Sequence, residues 1–123
     1  MTEYLIAFND EWVPDLTLED LREKSKTTRA LVAEMKAAGV FVYTNGGLVE
    51  DTPVFSVDAS SGEPLFTDGP FVDSKEHLGG FLIVDVPDEA SARHWAGKVA
   101  VACGWPQEVR RFPDRDRFAE TEA

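Results

Sequence analysis

The run Phe81-Leu82-Ile83-Val84-Asp85-Val86 constrains the fold more than any other part of this chain. Successive side chains of a strand point to opposite faces. Phe81 and Ile83 therefore lie on one side, and Leu82, Val84 and Val86 on the other. Near the N-terminus, Tyr4, Ile6 and Phe8 oppose Leu5 and Ala7 in the same way. A strand apolar on both faces is covered on both faces. Any fold of this chain has to supply two covers for one sheet.

The remaining segments supply one of them. Thr2 to Asn9 reads as the first strand, ended by the polar Asn9-Asp10-Glu11. Thr17 is placed to cap a helix, with Asp20 completing an approximate capping box. Leu18, Leu21, Ser25, Thr28, Leu31, Val32 and Met35 follow at helical spacing and form one stripe. That helix is predicted to run about 30 Å and to stop at Gly39 in the left-handed conformation. Val40 to Tyr43 is a second strand, broken by Asn45-Gly46-Gly47. Pro53 to Ala59 and Glu63 to Thr67 form a hairpin around Ser60-Ser61-Gly62. Gly79-Gly80 opens the strongest strand. Asp88 then caps a second helix with Ala92, Trp95, Ala96, Val99 and Ala102 facing inward, and Gly104 and Pro106 stop it. Glu108 to Phe112 is the last strand.

This order predicts an α+β fold, a ferredoxin-like β-α-β-β-α-β sandwich with an inserted β-hairpin, over residues 1–112. Residues 113–123 alternate charges without an apolar period and read as a flexible tail. Two helices cover one face of such a sheet. The second cover is expected from another copy, in a homodimer packed through its sheet faces.

Composition removes several classes of function. The 123 residues make one domain. Acidic residues outnumber basic ones 23 to 12, for a net charge of −11. A polyanion repels phosphates, so nucleic acid and anionic membranes are not expected as partners. The N-terminal MTEYLIAFNDEW has no basic leader region, and no apolar run is long enough to span a bilayer. One cysteine, Cys103, forms no internal disulfide and points to a reducing, cytoplasmic setting.

His77, His94 and Cys103 have no metal-ligand spacing, and Gly46-Gly47 and Gly79-Gly80 belong to no phosphate-binding loop. Neither a metal nor a cofactor is expected. One segment stands apart, from Leu65 to Gly80. It sets acids, a lysine and a histidine in a loop bent by Gly69-Pro70, between two strands. The bland alternative is structural: Asp68 caps a turn, and Asp73 caps a one-turn helix through Ser74-Lys75-Glu76.

Thr67-Asp68-Gly69-Pro70-Phe71, Asp73-Ser74-Lys75-Glu76, Leu78-Gly79-Gly80-Phe81 and Val86-Pro87-Asp88 closely resemble the DGPF-domain proteins of the YCII-related group. The match extends to Ala37-Ala38-Gly39-Val40, to Ala92 with Trp95-Ala96, and to Glu108-Val109-Arg110. The resemblance implies the dimeric α+β barrel superfamily, in which two ferredoxin-like subunits pack their sheets together. Superfamily folds include muconolactone-type isomerases, cofactor-free ring monooxygenases and ring-dechlorinating enzymes. DGPF proteins are also often met beside sigma factors of the extracytoplasmic type. Relatives with proposed catalysis pair a first-helix histidine with an aspartate. Here residues 25–29 read Ser-Lys-Thr-Thr-Arg, so only the acid carries over, at Asp68.

Two functions follow. One is a cofactor-free enzyme of isomerase or lyase type acting on a small polar or aromatic molecule. Asp68 would be its acid or base, and Lys75, Glu76 and Arg110 its ligand-binding groups. The other is a dimer that binds a small ligand without turnover or serves regulation, with a link to sigma factors.

Overall fold

The computed structural model describes residues 1–49, 53–72 and 77–114. Six strands and two helices follow the predicted order: β1 (Thr2–Asn9), α1 (Leu18–Ala37), β2 (Phe41–Gly47), β3 (Phe55–Asp58), β4 (Leu65–Asp68), β5 (Leu78–Val86), α2 (Glu89–Cys103) and β6 (Glu108–Arg111). Four strands make one antiparallel sheet in the order β2-β5-β1-β6, the ferredoxin-like arrangement. The other two, β3 and β4, pair with each other in a separate two-stranded ribbon.

Both helices begin where the sequence places a cap. Thr17 and Asp20 form a complete capping box, with the Asp20 amide donating to Thr17 Oγ1 at 3.0 Å. At the other end Gly39 takes φ +75°, while the Val40 amide bonds the Met35 carbonyl and the Gly39 amide bonds that of Lys36. These paired bonds close the helix as a Schellman motif, with Val40 and Met35 buried together. Asp88 caps α2 through the Ser91 amide at 2.8 Å, and Gly104 ends it at φ +89°.

The helices lie on one face of the four-stranded sheet. Tyr4, Ile6, Leu82, Val84 and Val86 meet Leu31, Met35, Ala92, Trp95 and Val99 in one buried cluster. Met35, Val84 and Val86 are wholly inaccessible. The opposite face carries Leu5, Ala7, Phe81 and Ile83, all half-buried, with Tyr43 half exposed beside them.

Three expectations need correction. The α1 stripe does not bury along its whole length: Leu18 and Leu21 are exposed. With 20 residues against the 15 of α2, α1 is about 7 Å the longer, so its partner helix cannot match all of it. The second strand starts one residue later than expected and is not broken at Asn45-Gly46-Gly47. It continues to Gly47 because two irregularities, at Phe41/Tyr43 and Thr44/Gly47, let it keep pairing with β5. The hairpin strands are also shorter than predicted, at Phe55–Asp58 and Leu65–Asp68. The tail beyond Asp114 lies outside the described residues. Before it, the Phe112 amide bonds the Glu3 carbonyl and Thr2 Oγ1 donates to Asp114 Oδ1.

The caps make a pH-dependent contribution. The Ser91 hydroxyl and amide hold the Asp88 carboxyl below its ordinary value of 3.8, and the Thr17 amide does the same for Asp20. A folded value below the unfolded one stabilises above the unfolded value, and that gain is lost as pH falls through the folded value. Asp88→Asn keeps a capping oxygen but removes the charge. Urea unfolding is expected to show a smaller fall in stability from about pH 5 to pH 2 for this variant than for the parent. Equal falls would show that the Asp88 charge has no part in it.

Candidate functional site

The four residues selected from sequence fall in different places. Asp68 ends β4, on the ribbon, and is exposed. Arg110 lies on β6, the edge of the main sheet opposite β2, where it pairs with Leu5 and faces away from the helices. Among the described residues no strand pairing joins the ribbon to the main sheet. Lys75 and Glu76 lie outside the described residues, as does the Asp73 cap. Within one chain, nothing among the described residues brings Asp68 and Arg110 together.

The turn after Asp68 does not depend on its carboxylate. The Gly69 amide donates to the Val54 carbonyl at 3.1 Å, and Ser56 Oγ donates to the Gly69 carbonyl at 2.7 Å. Gly69 sits at φ +81°, a conformation open to glycine and strained for most other residues. No hydrogen bond to the Asp68 carboxylate is present among the described residues. The capping role open to it in the sequence is filled by other groups.

Cross-strand pairing places that carboxylate. Asp68 pairs with Phe55, and Phe66 pairs with Val57, on the same face of the ribbon. Phe55 and Phe66 meet with ring centroids 5.9 Å apart, and both stay more than half exposed. An acid at the margin of an exposed aromatic platform can receive a hydrogen-bond donor while the rings hold an apolar body.

Sequence reasoning missed a histidine–carboxylate pair. His77 Nδ1 lies 3.0 Å from Glu11 Oε1, across 66 residues of chain. The His77 amide donates to Asn9 Oδ1, and its carbonyl accepts from Asp10 at 2.7 Å. These bonds tie the start of β5 to the 3₁₀ turn Asp10–Trp12 that follows β1. In a neutral ring that donates Nδ1–H to Glu11, Nε2 is an acceptor. The local signal is the polar Asn9-Asp10-Glu11 cluster, which by itself marks only the end of a strand.

Cys103 is buried, and burial pushes its thiol above the ordinary 9.0 although Lys24 opposes the shift. It behaves as a core group rather than as a reactive one. No helix among the described residues is long and apolar enough to cross a membrane.

The model of the YCII-related domain matches residues 5–110 of the 123. The chain belongs to the YCII-related family. The match spans both helices, the main sheet and the ribbon, so the ribbon and its Asp68 lie within the YCII-related domain. A search of curated proteins finds no match.

Proposed function

We propose that this YCII-related protein is a homodimer, joined through the open faces of its four-stranded sheets, that binds a small molecule carrying an apolar or aromatic body and a hydrogen-bond donor. Asp68 is its charged contact. The observation that carries this reading is the Asp68 carboxylate, without a hydrogen bond among the described residues, on the apolar face of the ribbon beside Phe55, Val57 and Phe66. The dimer is supported by the face that Leu5, Ala7, Phe81 and Ile83 leave uncovered by helices. Asp85 lies on that face opposite Glu3, and its Oδ1 is shut off from solvent without a hydrogen-bond partner among the described residues. A donor from a second copy, such as Arg110, would satisfy it.

The second reading is catalytic, with the same acid moving a proton on a polar or aromatic ring in an isomerase- or lyase-type step. It needs a group that holds Asp68 in place, and in this reading a partner subunit supplies it. In either reading the protein works in the cytoplasm and without a cofactor.

Two measurements test this. Sedimentation at micromolar concentration is expected to give twice 13.6 kDa, with an interface above about 1,000 Å²; a 13.6 kDa species refutes the dimer. A thermal-shift screen of small aromatic amines and amides is expected to find a stabilising compound. Asp68→Asn should lose that shift while keeping the fold and the dimer. Asp68→Ala should do the same without the loss of about 1 kcal/mol that removing a cap brings. Variants that bind as the parent does, or that change stability alone, make Asp68 structural.

A further inference from the structure

A second place in the molecule has the makings of a binding site, on the side of the sheet away from the proposed dimer face. A groove of about 510 Å³ opens between the first half of α2 and β6. Tyr4, Ala92, Ala96 and Val109 form its base, with Tyr4 and Ala92 buried. Arg93 and Arg111 stand at its rim, joined by Glu89. The volume lies within the range of small-ligand sites, roughly 300–1,000 Å³.

The register explains how the groove is built. In an edge strand reading Arg110-Arg111, one guanidinium goes to each face. Arg110 pairs with Leu5 and takes the open face. Arg111 pairs with Tyr4 and joins the helix side, where Val109 pairs with Ile6. From above, α2 contributes Ala92 and Ala96, one turn apart, whose small side chains leave the space that larger residues would fill.

The charges are unusual for this chain. Arg93 Nε donates to Glu89 Oε2 at 3.2 Å. Both side chains are largely exposed, so the pair adds little stability. That contact uses Nε, and the two terminal nitrogens of Arg93 make no hydrogen bond among the described residues. Arg111 makes no ion pair among the described residues. The Tyr4 hydroxyl has no hydrogen-bond partner there and is not sealed from solvent. Two guanidiniums and one carboxylate give the groove a net charge of about +1 on a protein of −11. That balance suits a monoanion. A dianionic phosphate would meet Glu89 and the surrounding acidic surface.

We propose that this groove binds a small organic carboxylate, its charge held by Arg93 and Arg111 and its apolar body lying on Tyr4, Ala92, Ala96 and Val109. The site is complete in one chain and rests on neither the dimer nor Asp68. A carboxylate accepts the planar guanidinium fork through both oxygens, which a neutral amide cannot do.

Benzoate is the probe, with benzamide as its uncharged counterpart and inorganic phosphate as an anion without an apolar body. In ¹⁵N-resolved NMR titrations, benzoate is expected to shift the amides of Tyr4, Ala92, Ala96 and Val109 together. Benzamide and phosphate should each bind about tenfold more weakly or less. Arg93→Gln and Arg111→Gln should each weaken benzoate by about tenfold. Arg29→Gln, an exposed arginine on α1, should leave it unchanged. All three arginines are exposed, so their replacement should not disturb the fold. Benzamide binding as tightly as benzoate removes the carboxylate from the proposal, and phosphate doing so removes the apolar body. Shifts elsewhere, no shifts, or arginine variants that bind benzoate as the parent does overturn the site. Loss of benzoate binding in Asp68→Asn would place the ligand at the ribbon instead.

Discussion

Replacing Trp95 by alanine is expected to destabilise the protein by about 3–5 kcal/mol, the largest loss of any single truncation on α2. Trp95 is only 8% exposed and lies in the cluster with Leu31, Met35, Val84 and Val99. It is the largest side chain that α2 places against the sheet. Its ring also meets His94 edge-on at 5.1 Å and carries the Lys98 ammonium 5.6 Å from its centre. Lys98 in turn pairs with Glu34 on α1. Truncation therefore leaves a cavity and removes the surface on which the cation linking the two helices rests. Urea unfolding at one fixed protein concentration measures the loss. Val101→Ala, 84% exposed on the same helix, should stay within about 0.5 kcal/mol. A near-neutral Trp95→Ala would mean that α2 packs with a different face.

The position of Trp95 was readable from the sequence because its cause is local. Asp88 and Gly104 fix where α2 starts and stops, and helical spacing then sets which residues share a face. The capping box at Thr17 and the left-handed Gly39 fixed α1 in the same way. Burial along α1 was less legible, since Leu18 and Leu21 belong to the stripe but find no partner at their end of the helix. The site was harder still. Asp68 stood out as a residue, but Gly69 and Ser56 close the turn without its carboxylate, which no pattern in the sequence announces. Its apolar surroundings depend on the β3–β4 register. Register also separates Arg110 from Arg111: the doublet says that each face receives one guanidinium, and only pairing with β1 says which. The His77–Glu11 contact joins residues 66 apart, and the polar Asn9-Asp10-Glu11 cluster marks only one of its two sides.

The glycine pair at the start of β5 is expected to be nearly as sensitive as Trp95, for the opposite reason. Neither Gly79 nor Gly80 has a positive φ, so conformational freedom does not require them. What requires them is Phe8. A Cβ added at Gly79 would lie 2.6 Å from Phe8 Cε2 and 3.0 Å from the Asp10 Cα. One added at Gly80 would lie 2.9 Å from Phe8 Cε1 and Cζ. The Phe8 ring thus covers both glycines, and Trp105 meets it at 5.3 Å. Lys24 lies 5.5 Å from the Trp105 ring centre. With neighbours beyond it, the ring cannot swing freely away from a new methyl group, and the backbone at Asp10 is held by its bond to His77. Gly79→Ala is therefore expected to cost about 3 kcal/mol, the upper end for overpacking. Gly97→Ala on α2, where nothing lies within 4 Å, should instead stabilise by roughly 0.5–1 kcal/mol. Phe8→Leu is the decisive partner. If the ring is the obstacle, the double variant should be more stable than the sum of the single losses by at least about 1 kcal/mol. Strict additivity would show that Gly79 is needed for some reason other than the ring above it.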